Sequence, residues 1–513
     1  MPPPCSAASA ARACREPRLL PDLPTPIVST ALVWFRRDFR VADHPALDHA
    51  LDHHQHLIPV YIHAPGEEDG WPPGAASRWW LHHSLKAHAA RLAELGAPLV
   101  IRSGSDMLAE LRRLIAETGA TAVHWNRLYE PAIVARDRRI KAALREAGIS
   151  AESHNSALLA EPWEVKTGGG DPYRVFTPFW RNAGARPVRM PRPAPARIPA
   201  PAQLPAGLPV DALKLLPTIP WDGGFYAHWT PGETGAWAQM EAFCADGAAR
   251  YHDQRDLPAA ASTSSLSPHL HFGEIGPVQL VQRTRQLVAE NQAPGLIGNV
   301  EHFVRELGWR EFSHHLLFHY PATTDRPMYD KFAAFPWRDP ADYADDLRAW
   351  QRGATGVPIV DAGMRQLWHT GWMHNRVRMI VASFLTKNLL IPWQEGARWF
   401  WDTLVDASLP QNSLGWQWAA GCGADAAPYF RIFNPVLQSA KFDGEGRYLR
   451  RWVPEIARLP DAALHAPWEA RPAVWLAARF SPGRDYPKPI VSLSESRDRA
   501  LAAYTRIKGG GEG

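Results

Sequence analysis

Cysteine is scarce. Four occur in 513 residues, Cys5, Cys14, Cys244 and Cys422, with no C-x-x-C pair and none at zinc-finger spacing from histidine. That excludes a disulfide scaffold, argues against a structural zinc or iron–sulfur cluster, and sets the expectation of no metal. A reducing, cytoplasmic compartment suits such a chain. Long apolar runs are also missing: no window of about 18 apolar residues occurs, so no membrane span is expected. Residues 1–26 are rich in Ala, Pro and Arg but lack an apolar h-region, which excludes a secretory signal. The expectation over 1–29 is a disordered extension. A transit peptide is the alternative, since Arg12, Arg15 and Arg18 outnumber Glu16. Charge of one sign is absent as well. Lys+Arg 56 against Asp+Glu 52 leaves +4, which allows a nucleic-acid partner without arguing for one. No internal repeat is visible. No G-x-G-x-x-G follows the first strand, where FRRDFR stands, so a Rossmann dinucleotide site is not supported.

What the chain does have is apolar residues at 46%, ample for a large core, and 23 tryptophans. Packing alone rarely asks for so many indoles, because each must bury a large ring and place an N–H. Short apolar runs at 31–35, 56–63, 98–102 and 121–125 alternate with helix-like stretches at 45–53, 77–95, 106–118 and 131–147, and a short fifth strand is expected at 149–154. That alternation predicts an α/β domain over 30–160, a doubly wound parallel sheet covered on both faces. A proline-rich connector is expected over 161–233, because prolines from Pro187 to Pro231 exclude regular helix or central strand. From 234 to 505 the periodicity is helical, with stretches at 235–249, 276–290, 298–318, 359–370, 375–390 and 395–404, which predicts a large all-α domain. Residues 506–513 read as a flexible tail.

Four segments carry candidate chemistry. Thr263–Ser267 is a hydroxyl cluster ahead of a short helix, with Ser267 expected as N-cap and Pro268 as first helical residue. Free N–H groups beside hydroxyls can seat a phosphate, although a plain N-cap explains the pattern as well. In GWMHNRVRMIVASF, Asn375 and Met379 share a helix face near Trp372, suited to a planar polar ligand with a soft contact. Arg376 and Arg378 can contact a phosphate or pair with an acid. In HFVRELGWREFSHHLLFH, Glu306, Trp309 and Arg310 lie on one face. A carboxyl beside an indole tends toward a raised pKa and can donate a hydrogen bond, whereas a Glu306–Arg310 surface pair is the plainer reading. His314, His315 and His319 have no acid or cysteine to complete a metal set. Asp406 to Trp418, DASLPQNSLGWQW, reads as a loop followed by indoles, with Asp406 and Asn412 offering mixed hydrogen-bonding edges to a heterocycle.

Taken together, WMHNRVRMI, LGWQWAAGCGADAAPYFRIFNP, RELGWREF, the TSSLS cluster and ALVWFRRDFRVADHPAL resemble the DNA photolyase/cryptochrome family over about residues 30–505. The resemblance implies FAD, active in its reduced form, held in a U-shape in the helical domain. Tyr251, Thr263, Ser264, Ser265, Leu266 and Ser267 would bind its phosphates and ribitol, with Arg310 approaching the phosphates. Asp406 and Arg378 would pair beside the isoalloxazine, and Asn412 would face flavin N5. Ser408 stands where the family commonly has Asp. Asn375 and Met379 resemble the pair found in cyclobutane-dimer photolyases. The (6-4) photolyases have two histidines on that helix, and plant-type cryptochromes tend to have Asp at the position of Asn412. The resemblance therefore implies a light-driven enzyme that splits cyclobutane pyrimidine dimers in damaged DNA, acting as a monomer. Glu306, Trp309, Asn375, Met379 and Trp418 would meet the flipped-out dimer, and Arg255 and Arg376 the DNA backbone. Trp416, Trp393 and Trp337 match an electron-hopping chain, with Trp350 the alternative outer member. An antenna chromophore is also implied, methenyltetrahydrofolate or 8-hydroxy-5-deazaflavin. The competing reading is a cryptochrome-type photoreceptor that binds FAD without repair.

Overall fold

The structure is a computed structural model that describes residue 1 and residues 29–291, 293–426 and 430–508. Most of the extension expected over 1–29 lies outside the described residues. So do residues 427–429 of the DAAPYFRIFNP motif and residues 509–513 of the tail.

Five strands, β1 (Thr30–Phe35), β2 (His56–His63), β3 (Val100–Ser103), β4 (Ala122–Asn126) and β5 (Ser150–His154), form one parallel sheet in the order β3-β2-β1-β4-β5. Helices α1 (Pro45–His53), α2 (Ala75–Glu94), α3 (Met107–Thr118) and α4 (Pro131–Glu146) connect them. The two faces of β1 enter different cores. Ala31, Val33 and Phe35 pack with Trp79, Trp80 and Leu85, whereas Leu32 and Trp34 pack with Leu111, Leu114 and Ile140. This is why the strands read as continuous apolar runs rather than alternating ones.

The proline-rich stretch runs extended along this domain, as Ile198 N–H donates to Leu95 C=O (2.8 Å), Leu57 N–H to Pro199 C=O (2.7 Å) and Leu208 N–H to Ile101 C=O (2.9 Å). The expected connector begins too early, however. Its first part contains α5 (Phe176–Ala183), whose Pro178 sits in the first turn, where the missing N–H has no intrahelical role.

The remainder is helical: α6 (Glu233–Ala245), α7 (Tyr251–Gln254), α8 (Ser267–His271), α9 (Pro277–Glu290), α10 (Leu296–His319), α11 (Pro340–Gln351), α12 (Pro358–Thr370), α13 (Asn375–Ser383), α14 (Trp393–Thr403) and α15 (Leu409–Ala420). Further helices follow. The last, Leu493–Lys508, takes in residues 506–508 of the segment expected as a tail. Among the described residues no helix is long and apolar enough to cross a membrane.

Three local expectations change. The helix expected through Leu390 ends at Ser383 and yields to one π turn, Phe384–Asn388, where Thr386 Oγ1 bonds back to Ala382 C=O (2.8 Å) and perturbs the ladder. Leu409–Ala420 is a helix, not a loop. Pro410 falls in its first turn, where proline is pre-organised, and Gly421 closes it at φ 87°. The N-cap before α8 is Leu266 rather than Ser267, so Ser267 opens the helix itself.

The α/β domain fixes the helical one close to α8. Phe39 N–H donates to Phe272 C=O (3.0 Å), buried Arg40 donates to Gly273 C=O (2.9 Å), and Trp80 Nε1 donates to Glu274 Oε1 (3.0 Å). Gly273 has φ 62°, and a Cβ there would lie 2.5 Å from Arg37 C=O, so this contact requires glycine.

Candidate active site

The cavity between these helices has a volume of about 760 Å³. That lies within the ordinary range for cofactor and ligand sites, roughly 300–1,000 Å³.

Each wall comes from one helix face. On α10, Phe303, Glu306, Leu307, Arg310 and Ser313 recur at three- and four-residue steps, and Trp309 joins them. On α13, Asn375, Arg378, Met379 and Ala382 do the same. On α15, Ser408, Asn412 and Trp416 stand at i, i+4 and i+8, with Gln411, Gly415, Trp418 and Ala419 beside them. Phe400 and Leu404 of α14 close the apolar end. Tyr251, Arg255, Ser264, Ser267 and His271 line the side toward α7 and α8.

The cavity thus brings together most of the site residues expected from the sequence, and Thr263, Ser265, Leu266, Trp393, Trp337 and the alternative Trp350 line no part of it. Leu266 is buried in the core beneath α9 and α10. Thr263 and Ser265 are half-buried outside the lining, and Ser265 takes φ 51° at the turn into α8. Trp393 is buried in the core cluster that also holds Trp416, Trp337 packs at the margin of that cluster, and neither lines the cavity.

Charges in the wall are arranged in pairs. Arg378 Nη2 binds both oxygens of Asp406 (2.8 and 3.1 Å), and its Nε donates to Met373 C=O (2.7 Å). The Asp406 side chain is only 4% exposed, so this pair holds a carboxylate out of bulk water. Asn412 Nδ2 donates to Ala397 C=O (2.9 Å), which leaves its Oδ1 without a protein partner among the described residues. Ser408 Oγ donates to Gln411 Oε1. Arg310 does not pair with Glu306. Its guanidinium donates to Ala157 C=O and lies 3.8 Å from Glu311. Burial pushes Glu311 up to about 7, although its Oε2 accepts N–H bonds from Leu159 and Ala160.

The expected apolar setting of Glu306 is not what the structure has. Its carboxylate pairs with Arg255 at the cavity mouth and is 30% exposed. Arg376 binds Asp256 (2.7 Å) and covers the Phe442 ring at 4.5 Å. Trp309 stacks flat on Phe176 at 3.7 Å between centroids and 9° between planes. Its indole orientation is therefore set by α5, an element the proline count concealed. His315 and His319 bind Pro162 C=O, and His314 binds Arg310 C=O, so these rings hold backbone.

Phe400, His271, Gln411, Gly415 and Gly396 were not singled out in the sequence. The i, i+4, i+8 spacing from Ser408 to Trp416 would have marked Gly415 and Gln411 once the segment was read as helix. A Cβ on Gly415 would meet nothing within 4 Å, so a larger residue there would project into the cavity. Gly396 works in the opposite sense, since a Cβ there would lie 2.0 Å from Trp416 Cη2. Trp416 thus lies directly on the backbone of α14. Alanine favours helix over glycine by about 1 kcal/mol, whereas overpacking costs roughly 1–3 kcal/mol. Gly396→Ala is therefore expected to lower the melting temperature, measured by circular dichroism; a raised one would mean that the indole gives way freely.

Behind Trp416 the aromatic packing continues. Trp350 meets it at 6.1 Å and Phe400 at 5.0 Å. Trp350 is wholly buried and donates to Val381 C=O (3.1 Å), so it has no route to solvent. Trp393 opens α14 one turn from Gly396 and is 2% exposed. Trp337 is half-buried against Phe335 (4.4 Å), and the next residue, Arg338, donates its N–H to Leu390 C=O (3.0 Å) just ahead of α14.

Residues 31–201 match the family model described as DNA photolyase, and residues 303–506 match the FAD binding domain of DNA photolyase. The chain is 48% identical over 483 residues to a deoxyribodipyrimidine photo-lyase of Agrobacterium fabrum, spanning 93% of this chain and 98% of that one. It is 38% identical to cryptochrome-2 of Arabidopsis thaliana, over 93% of this chain and 79% of the relative. The crystal structure of a bacterial class III photolyase from Agrobacterium tumefaciens superposes with a TM-score of 0.90 at 46% identity, covering 96% of this chain and all of that one.

Proposed function

The chain belongs to the DNA photolyase family, and from that premise we infer that it is a light-driven DNA-repair enzyme splitting cyclobutane pyrimidine dimers with FAD. One observation carries the reading. Residues expected at the flavin (Tyr251, Ser264, Ser267, Arg310, Arg378, Asp406, Ser408, Asn412) and at the dimer (Glu306, Trp309, Asn375, Met379, Trp418) line one continuous cavity.

The cavity suits FAD in size and chemistry. Its apolar end is built from Phe400, Leu404 and Trp416, Gly415 leaves room for a ring system, and Asn412 Oδ1 is uncommitted. Ser264 and Ser267 offer hydroxyls to a diphosphate, and Arg310 offers charge. Thr263, Ser265 and Leu266 serve this seat through backbone shape, because their side chains are turned away from it. When bound, reduced and photoexcited FAD would lend the electron that opens the two cyclobutane bonds and take it back once the pyrimidines separate, with no net redox change. The Arg378–Asp406 pair fixes local charge beside that site.

At the mouth, Trp309 and Trp418 offer aromatic faces to a pyrimidine dimer taken out of the stack, a step made easier by the damage itself. Arg255 and Arg376 grip backbone phosphates. Both are already paired with carboxylates. A phosphate drawing Arg255 away would release Glu306, which once protonated can donate a hydrogen bond to a pyrimidine carbonyl, so DNA binding and readiness of the carboxyl are coupled. An antenna folate or deazaflavin would need room. Two cavities at the carboxyl edge of the sheet hold about 30 and 60 Å³, so their walls must open for either.

The test is light-dependent loss of thymine dimers from oligonucleotides, with the absorption spectrum of the purified protein recorded. A flavin band with repair is expected. A flavin band without repair would leave the cryptochrome-type reading, and no flavin band would remove both. Within the repair reading, Glu306→Ala should retain FAD and lower the repair yield per photon about tenfold, the equivalent of one charge-assisted hydrogen bond of roughly 1.5 kcal/mol. An unchanged yield would remove Glu306 from the mechanism.

A further inference from the structure

Away from the cavity, the outer edge of the α/β domain carries an unusual concentration of imidazoles. α1 presents His49 and His53 one turn apart, and His54 caps its end. β5 is an edge strand, and its register on β4 pairs His124 with Glu152 and Asn126 with His154. Side chains two apart on a strand share a face, so His124, Glu152 and His154 all point to the side that α1 covers. The same face is confirmed by Ala46 of α1, whose N–H donates to Asn126 Oδ1 (3.1 Å).

The rings come close together. His49 lies 4.8 Å from His154 and 5.0 Å from His124 between centroids, and stacks on His53 at 4.1 Å. His49 Nε2 is 3.4 Å from Glu152 Oε2. One ligand atom from each of His49, Glu152 and His154 lies within 4.8 Å of the others. Several nitrogens here have no use within the fold. Among the described residues, His124 is 1% exposed with its Nδ1 unbonded, and His54 Nδ1 and His154 Nε2 are buried without a partner. Buried donors and acceptors left unpaired are uncommon and call for an explanation.

We propose that His49, Glu152 and His154 form a binding site for a divalent transition metal of the zinc type, clamping α1 over the edge strand β5. Two imidazoles and a carboxylate are borderline donors that suit such an ion, with water in the remaining position. Tetrahedral coordination at about 2.1 Å places ligand atoms roughly 3.4 Å apart, so the three need close by only about an ångström. His124 and His54, bonded to each other at 3.0 Å, lie beside the three, with the His124 ring 5.0 Å from that of His49. The cysteine-based expectation of no metal did not weigh these residues, which come from two elements, α1 and β5, about 100 residues apart in the chain.

The test uses the purified full-length protein, stripped with a chelator and titrated with Zn²⁺ against a chromophoric indicator. One equivalent should bind at micromolar strength or tighter and raise the melting temperature. Glu152→Gln, isosteric and near the surface, should weaken binding by about tenfold or more, as should His49→Ala. Neither should alter the flavin spectrum. Co²⁺ in the same site should give a tetrahedral ligand-field band beyond the flavin absorption. The proposal is overturned by no binding below about 100 µM, or by equal affinity in wild type and both variants, which would mean adventitious histidine binding elsewhere. If His49→Ala lowers the metal-free melting temperature, Glu152→Gln decides.

Discussion

Arg378→Ala should yield a folded protein that loses its FAD. The side chain does three things at once: it binds both oxygens of Asp406, donates to Met373 C=O and lines the cavity. Removing it leaves Asp406, 4% exposed, with an unpaired charge in the cavity wall. Breaking a buried pair by deleting one partner typically costs about 3–5 kcal/mol, and the quarter exposure of Arg378 itself argues for the lower end. At about 1.4 kcal/mol per tenfold, FAD affinity should fall by at least two orders of magnitude. The measurement is flavin absorbance per protein after gel filtration, followed by titration of FAD back into the stripped variant. Arg378→Lys should recover little, because a point charge cannot replace a two-oxygen grip. Asp406→Asn combined with Arg378→Ala should recover more than Arg378→Ala alone, since the stranded charge goes with it. If Arg378→Ala keeps stoichiometric FAD, the pair is only structural.

The second large effect is on electron supply. Under blue light with an external reductant, oxidised FAD bound to the wild type should bleach quickly, and in Trp393→Phe that bleaching should slow by at least tenfold. The packing motivates it. Trp416 lies at the cavity wall and on the backbone of α14, and Trp393 begins that helix. Three residues at about 1.5 Å rise place Trp393 only some 4.5 Å further along the axis than Gly396. Trp337, half-buried beside the segment leading into α14, has the exit to solvent that wholly buried Trp350 lacks. Trp350→Phe should therefore bleach at close to the wild-type rate, and Trp337→Phe should slow like Trp393→Phe. Phenylalanine keeps the volume nearly filled, so fold and FAD content should hold. Fast bleaching in Trp393→Phe would exclude this path.

Much of this molecule was legible from pattern. Parallel strands buried on both faces must read as apolar runs, as β1, β2 and β4 do, and the edge strand β5 (SAESH) followed from its place after α4. The faces of α10 and α13 followed from helical spacing alone. Other parts were hidden for identifiable reasons. Pro410 made α15 look like a loop, although the first turn of a helix is where proline is tolerated. Proline density likewise obscured α5, and with it the Phe176 ring that sets Trp309. Glu306 beside Trp309 suggested an apolar carboxyl. Arg255, 51 residues earlier, comes to it only through the fold.

The sequence by itself determined the two architectures, the family, and which side chains stand on which helix face, because period and local propensity act within a few residues of chain. Tertiary structure alone decided charge pairing at the mouth, the burial of Trp350 against the partial exposure of Trp337, the contact of Trp416 with Gly396, and the gathering of His49, Glu152 and His154 at one edge. Each of these depends on residues far apart in the chain and on how much water remains between them. Burial and long-range electrostatics arise only when the elements pack, and no local pattern encodes them.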